Sequence, residues 1–588
     1  MRWLATLSLF FLATTAVATE NDLSVAWIAR LPRIDYVWNS ANPTVEGWPA
    51  VGSTVTWVAN VRWLGSEPRR GVSYCWTIDG VAVRKGTLDF GPESLVTAEL
   101  PWTWMFARHE IGFEIDNMRL VAETEERNNR LVVYSNALGV GIYVERTYWT
   151  TVSPKFKSAG IGVTTFDDWI QKQVRRFNEI AANAFYPETP NGVLDRWRVD
   201  AIHVVEDGAL PLAPPLAEAR DWGADPGGYG TLYPNVLDHT VDMQWGFPAN
   251  TAGFWPEYTP WILMMGNSYV HEWSHARTMI DTYAWDLSPS ADFVNLDPAP
   301  PVESYAYYNT PEQGLMHFDW GHVDRFTAVA MNRMAGRRAL RGNYNEPWDL
   351  GWFLNDFAEQ NRVRLVRGDG TPIRNSQVLL YRSTAEDVDW KNGKGYGMVF
   401  NNTPAQTLTT DSEGRILVGK NPFADGRIYA FVEKANGICI LRIQDGATRR
   451  WAYLDSLQFN LAYWRGQTQL ADIDVMAGAP MCRDALGPGN IGPAPEALVT
   501  TPVVHFRIPV TREIPYDLYY SANGAPPVKI AVPARAATET ADIPLTPPAG
   551  RIVWWFIEGI SSPPCPPQHS SVYAFDHDVP RPWKPVSH

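Results

Sequence analysis

Residues 267–287 read NSYVHEWSHARTMIDTYAWDL, and at their centre stands His271-Glu272-Trp273-Ser274-His275, an H-E-x-x-H. On a helix, residues i and i+4 lie on one face a turn apart, so both imidazoles reach a single zinc ion. Glu272 then lies within reach of a water at an open metal position and can take its proton. Two histidines leave such a centre one protein ligand short. Asp281, Glu303, His317 and His322 are the candidates for the third. On a continued helix Asp281 would lie about 240° around from His275, off the metal face, so the chain must leave the helix between them. Glu303 sits in a loop flanked by Pro298, Pro300 and Pro301. His317 and His322, among aromatic residues, read as structural.

The flanks of the motif predict an α+β layout. Thr165-Phe166-Asp167-Asp168 opens a helix in the manner of a capping box, and Trp169, Ile170, Val174, Phe177, Ala181 and Ala184 recur at helical spacing to about Phe185. Trp197 to Val205 reads as a strand, followed by a Pro/Gly-rich loop from Asp207 to Pro234. His239 to Phe247 alternates as a half-buried strand, a candidate edge for pairing with an extended substrate. A second helix is expected from His322 to about Gly336, with Val323, Phe326, Ala330 and Met334 on one face. Helix, strands, metal helix and closing helix suit an α+β domain over residues 146–360.

The rest of the chain is β in character. Between residues 20 and 145, Val55–Ala59, Ser73–Ile78 and Glu110–Ile115 have the β-branched and aromatic content of strands, and Asp79-Gly80 marks a tight turn. Residues 363–480 and 498–578 repeat such patterns on either side of a Pro/Gly-rich linker at 484–495. At 588 residues the chain exceeds what one core covers, and 27 Trp with 44 Gly and 46 Pro fit many short strands and turns. A net charge of −14 argues against a nucleic-acid partner.

The N-terminus reads as a secretory signal: Arg2, an apolar run from Leu4 to Leu12, and Ala16-Val17-Ala18, with cleavage after Ala18. No later apolar run is long enough to span a bilayer, so a secreted, extracellular protein without a transmembrane segment is expected. Of Cys75, Cys439, Cys482 and Cys565, two of the last three are candidates to pair in an oxidising compartment.

Several stretches resemble known families. "WTIDGVAVRKGTL", "HEIGFEID" and "VAETEERNNRLVV" are similar to the bacterial adhesion-related immunoglobulin-like domain called CARDB. Its acidic ending falls on Glu123, Glu125, Glu126, Asn128 and Asn129, read as a structural acidic loop rather than a calcium site. "RVRLVRGDGTPIRNSQVLLYR" with "LTTDSEGRILVG" resembles the carboxypeptidase-regulatory or transthyretin-like sandwich. "VVHFRIPV", "PYDLYYSA", "VKIAVPA" and "RIVWWFIEG" resemble a fibronectin type III sandwich. "HEWSHARTMIDTYAWDL" resembles the H-E-x-x-H-x-x-G-x-x-D-x-Y pattern of secreted bacterial zinc peptidases of the immune inhibitor A type, with Thr278 where glycine is expected.

That last resemblance implies a metzincin-like zincin domain with His271, His275 and Asp281 as zinc ligands and Glu272 as catalytic acid/base. It places Tyr283 as the following aromatic and Met316, in Gly314-Leu315-Met316, beneath the metal. The implied activity is a zinc-dependent metalloendopeptidase acting on a protein or peptide, with cell-surface or matrix contact through the β domains. The competing expectation is a weak or inactive zincin-fold adhesin. Thr278, β-branched and averse to positive φ, is where the motif departs from its pattern.

Overall fold

The computed structural model describes residues 21–33, 48–159, 163–210, 241–247, 249, 270–271, 273–275, 277, 279–285, 294–296, 314–318, 322–336, 351–385, 398–400, 403–428, 430–431, 434–478, 492–493, 497–509, 515–522, 527–534, 540–547, 551–559, 568–569 and 573–577. The expected signal sequence, residues 211–234 of the stretch expected to be a Pro/Gly-rich loop, Glu272, Thr278, Glu303, Cys482 and Cys565 lie outside them. The chain is multidomain and mostly β, and it divides into two compact units: residues 1–32 with 49–136, and residues 33–48 with 137–588.

The first unit is an immunoglobulin-like sandwich. Its strands are β1 (Leu23–Leu31), β2 (Thr54–Trp63), β3 (Arg69–Ile78), β4 (Val81–Phe90), β5 (Leu95–Thr103), β6 (Glu110–Ile115) and β7 (Arg130–Tyr134). They form a sheet in the order β1-β2-β5 and another in the order β4-β3-β6-β7. Inward positions carry Trp57, Trp63, Trp76 and Trp104, all fully buried, and Trp76 meets Phe113 edge-on with ring centroids 4.8 Å apart. Asp79 and Gly80, with φ of 50° and 77°, form the two-residue loop between β3 and β4; both central residues at positive φ is the turn whose twist matches the strands. The acidic stretch is knitted in rather than loose. Glu123 accepts from Leu23 N (2.6 Å) and Asn129 Nδ2 (2.9 Å), and burial pushes its carboxyl up to about 7.

The second unit's first strand is β8 (Leu138–Glu145), which lies within the 20–145 range expected for the first module. It pairs in parallel with β9 (Trp197–Val205) on one side and with β10 (Met243–Phe247) on the other. Two helices, α1 (Arg146–Ala159) and α2 (Phe166–Ala182), make the connection from β8 to β9. Parallel neighbours require such a crossover, so the core near the motif is locally a β–helix–β unit. Thr165 caps α2 as expected, accepting from Asp168 N at 3.1 Å, and Phe177 on α2 stacks on Trp197 of β9 at 3.7 Å. Val241, Met243, Trp245 and Phe247, the side of the strand expected to face inward, are all buried, while Asp242 on the opposite side is partly exposed; Gly246, also on that side, is buried.

Downstream, Gln360–Val366 pairs in parallel with Leu470–Met476 and antiparallel with Arg415–Gly419. Gln377–Ala385, Ile438–Asp445 and Thr448–Asp455 form an antiparallel sheet beside them. The helix Ser456–Trp464 follows, capped by Asp455, which accepts from Gln458 N at 2.9 Å. The short strand Val294–Leu296, from within residues 146–360, joins this module by pairing in parallel with Met398–Phe400. The last module has fibronectin type III-like sheets: Val504–Pro509 with Thr540–Leu545, and Tyr516–Ala522, Val528–Val532, Arg551–Gly559 and Tyr573–His577 in the other. Its core is built on Phe506, Leu518, Trp555 and Phe575.

Cys75 and Cys439 are buried free thiols, which removes Cys439 from the expected disulfide choices. Among the described residues no helix is long and apolar enough to cross a membrane.

Candidate metal centre

Residues 270–275 are helical at every described position, and Ser274 Oγ donates to Val270 O one turn back at 2.7 Å. This turn carries Trp273, buried against Phe177 of α2 with centroids 6.0 Å apart. The apolar contact fixes which way the opposite face points, and that face presents His271 and His275.

The helix then ends. Arg277 N and Met279 N both donate to Ser274 O, at 2.9 and 3.2 Å. The bond from Met279 spans the interval of a Schellman-type helix end, and 279–281 continue without helical bonds. Arg277 is 1 % exposed; its guanidinium donates to Asp195 Oδ2 (2.5 Å) and to Met334 O (2.8 Å), pinning the exit of the turn. The departure from the helix required for Asp281 therefore occurs.

Asp281 is brought back to the histidines. His271 Nε2 lies 3.1 Å and His275 Nε2 3.3 Å from Asp281 Oδ1. Their donor atoms all lie within 4.8 Å of one another, and among the described residues this is the sole group of three His, Cys, Asp or Glu side chains so gathered. His271 Nδ1 lies 2.7 Å from Leu315 O, and His275 Nδ1 2.7 Å from Met279 O. A carbonyl oxygen only accepts, so each Nδ1 carries a hydrogen, and each Nε2 faces Asp281: it donates to the carboxylate when the ring is protonated and offers its lone pair to an ion when the ring is neutral. Carbonyl-oriented imidazoles of this kind are the usual support of a metal-binding histidine. Burial works against a charged Asp281, but the facing His275 and His271 rings outweigh it and hold the carboxyl well below its usual range. Two neutral nitrogen donors and an ionised carboxylate form a donor set that fits a zinc ion.

The segment that carries Met316 supports the site through its backbone. Leu315 O receives the His271 hydrogen, and Leu315 N donates to His322 O at 2.7 Å. Met316 is fully buried in this turn. Gly314 is required there, since a Cβ would come within 2.7 Å of Asp324 N. Asp324 caps the helix Arg325–Met334 by accepting from Thr327 N and Oγ1 at 2.9 and 2.7 Å, and burial pushes its carboxyl up to about 6. His317 and His322, the rival third ligands, are buried outside the cluster. Tyr283 lies in the 3-10 helix Thr282–Trp285 that follows Asp281. The carbonyls of Leu315 and Met279 are supports that no residue pattern announces, because every residue has one.

No protein-family model matches the chain, and no curated protein matches it. Over 20 % of its length it is similar to the solved CARDB domain of the PF1109 protein of Pyrococcus furiosus, described in complex with di-metal ions (18 % identity, 92 % of that chain, TM-score 0.16). Another CARDB-like likeness is a putative cell surface protein domain of Methanosarcina acetivorans (19 % identity, 20 % of this chain, 90 % of that one, TM-score 0.15). A third solved structure, the FN1–FN3 domains of chicken CNTN1, matches at 7 % identity over 38 % of this chain and 64 % of that one, with a TM-score of 0.14. The sandwich described above rests on the chain's own strand pairing.

Proposed function

We propose that this chain is a secreted zinc-dependent metalloendopeptidase whose α+β zincin-like domain carries its centre on His271, His275 and Asp281. The observation that carries the reading is the convergence of both Nε2 atoms on Asp281 Oδ1, at 3.1 and 3.3 Å, with both Nδ1 atoms committed to carbonyls. His271, His275 and Asp281 would hold a zinc ion, whose chemistry when bound is that of a Lewis acid able to lower the pKa of water toward about 7. The chain's own residues do the rest. The two imidazoles and the carboxylate bind and orient the ion, and the carboxylate leaves the centre less positive than three imidazoles would. Glu272, placed by the motif between the two histidines, would take a proton from water as the water oxygen bonds to the scissile carbonyl carbon, and give it to the amine nitrogen as the C–N bond breaks. The β modules suit contact with a cell surface or matrix.

The test is elemental analysis paired with peptide turnover. About one zinc per chain is expected in the wild type and none in His271→Ala. Glu272→Gln keeps the zinc and loses about 10²- to 10⁴-fold in kcat. Zinc retained by a wild type that cleaves no protein or peptide would return the chain to the adhesin reading.

A further inference from the structure

We infer that the module spanning residues 360–478 braces the metal centre from outside, and that Trp285, seated on Gly437 of that module, is the positioning residue that sets Asp281. This rests on the zinc-centre reading above and extends it to what holds the third ligand.

The two histidines are fixed by a helix, whereas Asp281 lies beyond its end and has no ladder of backbone bonds to place it. Its position is set by where the chain is clamped on either side. On the C-terminal side the 3-10 helix Thr282–Trp285 starts at the next residue and ends in Trp285, which is fully buried. A Cβ on Gly437 would fall 2.6 Å from Cε2 and Nε1 of that ring and 2.7 Å from Ser456 Oγ. Only a residue without a side chain leaves room for the indole. The socket is itself rigid, since Gly437 O accepts from Ser456 N, at the start of the helix Ser456–Trp464, at 2.9 Å.

On the N-terminal side, Ile280 is buried beneath Gly351, where a Cβ would come within 2.7 Å of Ile280 Cγ2. Gly351 leads into the 3-10 helix Trp352–Asn355 at a φ of 62°. That segment is tied to the same module: Asn460 Nδ2 donates to Leu354 O and Asp356 O at 3.1 and 2.9 Å, and Asn355 Oδ1 accepts from Ile428 N at 3.0 Å. The two flanks of the ligand thus end on residues far downstream of the histidines, Ile280 on Gly351 and Trp285 on Gly437.

The experiment uses the full chain and four variants: Gly437→Ala, Trp285→Phe, the two combined, and Gly437→Ala in an Asp281→Asn background. Zinc affinity is read by competition with a chromophoric chelator, and the ligand set by the visible absorption of the cobalt(II)-loaded protein. Gly437→Ala is expected to weaken zinc about 10- to 100-fold, the usual range for lost support of a ligand, and to shift the cobalt spectrum toward that of Asp281→Asn. Trp285→Phe, which vacates the socket instead of crowding it, is expected at the lower end, about tenfold. Combined with Gly437→Ala it restores binding to the level of Trp285→Phe alone, because the smaller ring makes room for the methyl. In the Asp281→Asn background Gly437→Ala costs nothing further.

An unchanged affinity in folded Gly437→Ala overturns the inference, as does a double variant that recovers nothing. Should Gly437→Ala fail to fold, an unchanged affinity in Trp285→Phe decides against it. A wild type that binds no zinc overturns the zinc-centre reading and this inference together, a result distinct from a wild type that binds and variants that do not differ.

Discussion

The N-terminal sandwich and the module at 360–478 are both β structures beside the motif in sequence, yet they close their cores differently. The first fills its interior with its own strands, through Trp57, Trp76 and Phe113. The second borrows. Trp464, at the end of its helix, stacks on Phe326 with centroids 5.3 Å apart and donates Nε1 to Asp356 Oδ2 at 2.8 Å. Arg465 shares Glu188 with Arg325, and Val294–Leu296 extends one of its sheets. Resemblance to an autonomous module therefore says little about autonomy. What decides is whether the apolar faces are satisfied from within.

That difference has measurable consequences. Trp76→Ala should cost the N-terminal sandwich about 3–5 kcal/mol, the range for a buried Trp or Phe cut to Ala, and leave zinc affinity unchanged. Trp464→Ala removes a half-buried ring and should cost about 2–4 kcal/mol, with zinc affinity falling as well. Thermal unfolding and chelator competition on the two variants check the pair. If both leave the affinity alone, the distinction between the modules fails.

The smallest effect concerns acid. Arg325 and Arg465 hold Glu188 down to about 2, against burial, from an ordinary value of 4.5. A depressed carboxyl contributes stability that is complete above its unfolded pKa and lost as pH falls through the folded one. About 1–2 kcal/mol, discounted for solvent screening, should therefore disappear between pH 4.5 and about 2 in the wild type. Glu188→Gln should lack that slope in acid titrations of the melting temperature. An equal slope in both would remove this link between the helix Arg325–Met334 and the module downstream.

Much of the layout is legible in the residues. Thr165 announces the cap of α2, Trp197 to Val205 the strand β9, and Asp79-Gly80 the hairpin turn, because each is a local matter of capping, alternation or positive φ. The boundary of the first module is not legible in this way. β8 has the alternation of any strand, and only its pairing with β9 and β10 shows that it begins the second unit.

The candidate site divides along the same line. The sequence by itself determined the histidine pair, since a four-residue spacing on a helix is a local geometric fact, and the resemblance of the motif to a known pattern singled out Asp281 among the candidate third ligands. It also marked the segment in which the chain must quit that helix. The tertiary structure alone decided whether Asp281 returns to the histidines. That depends on Arg277 meeting Asp195, on Leu315 and Met279 offering carbonyls to the imidazoles, and on Trp285 finding a glycine to sit on. Each is a contact between residues far apart in the chain or a property of the backbone alone, and neither leaves a periodicity to read.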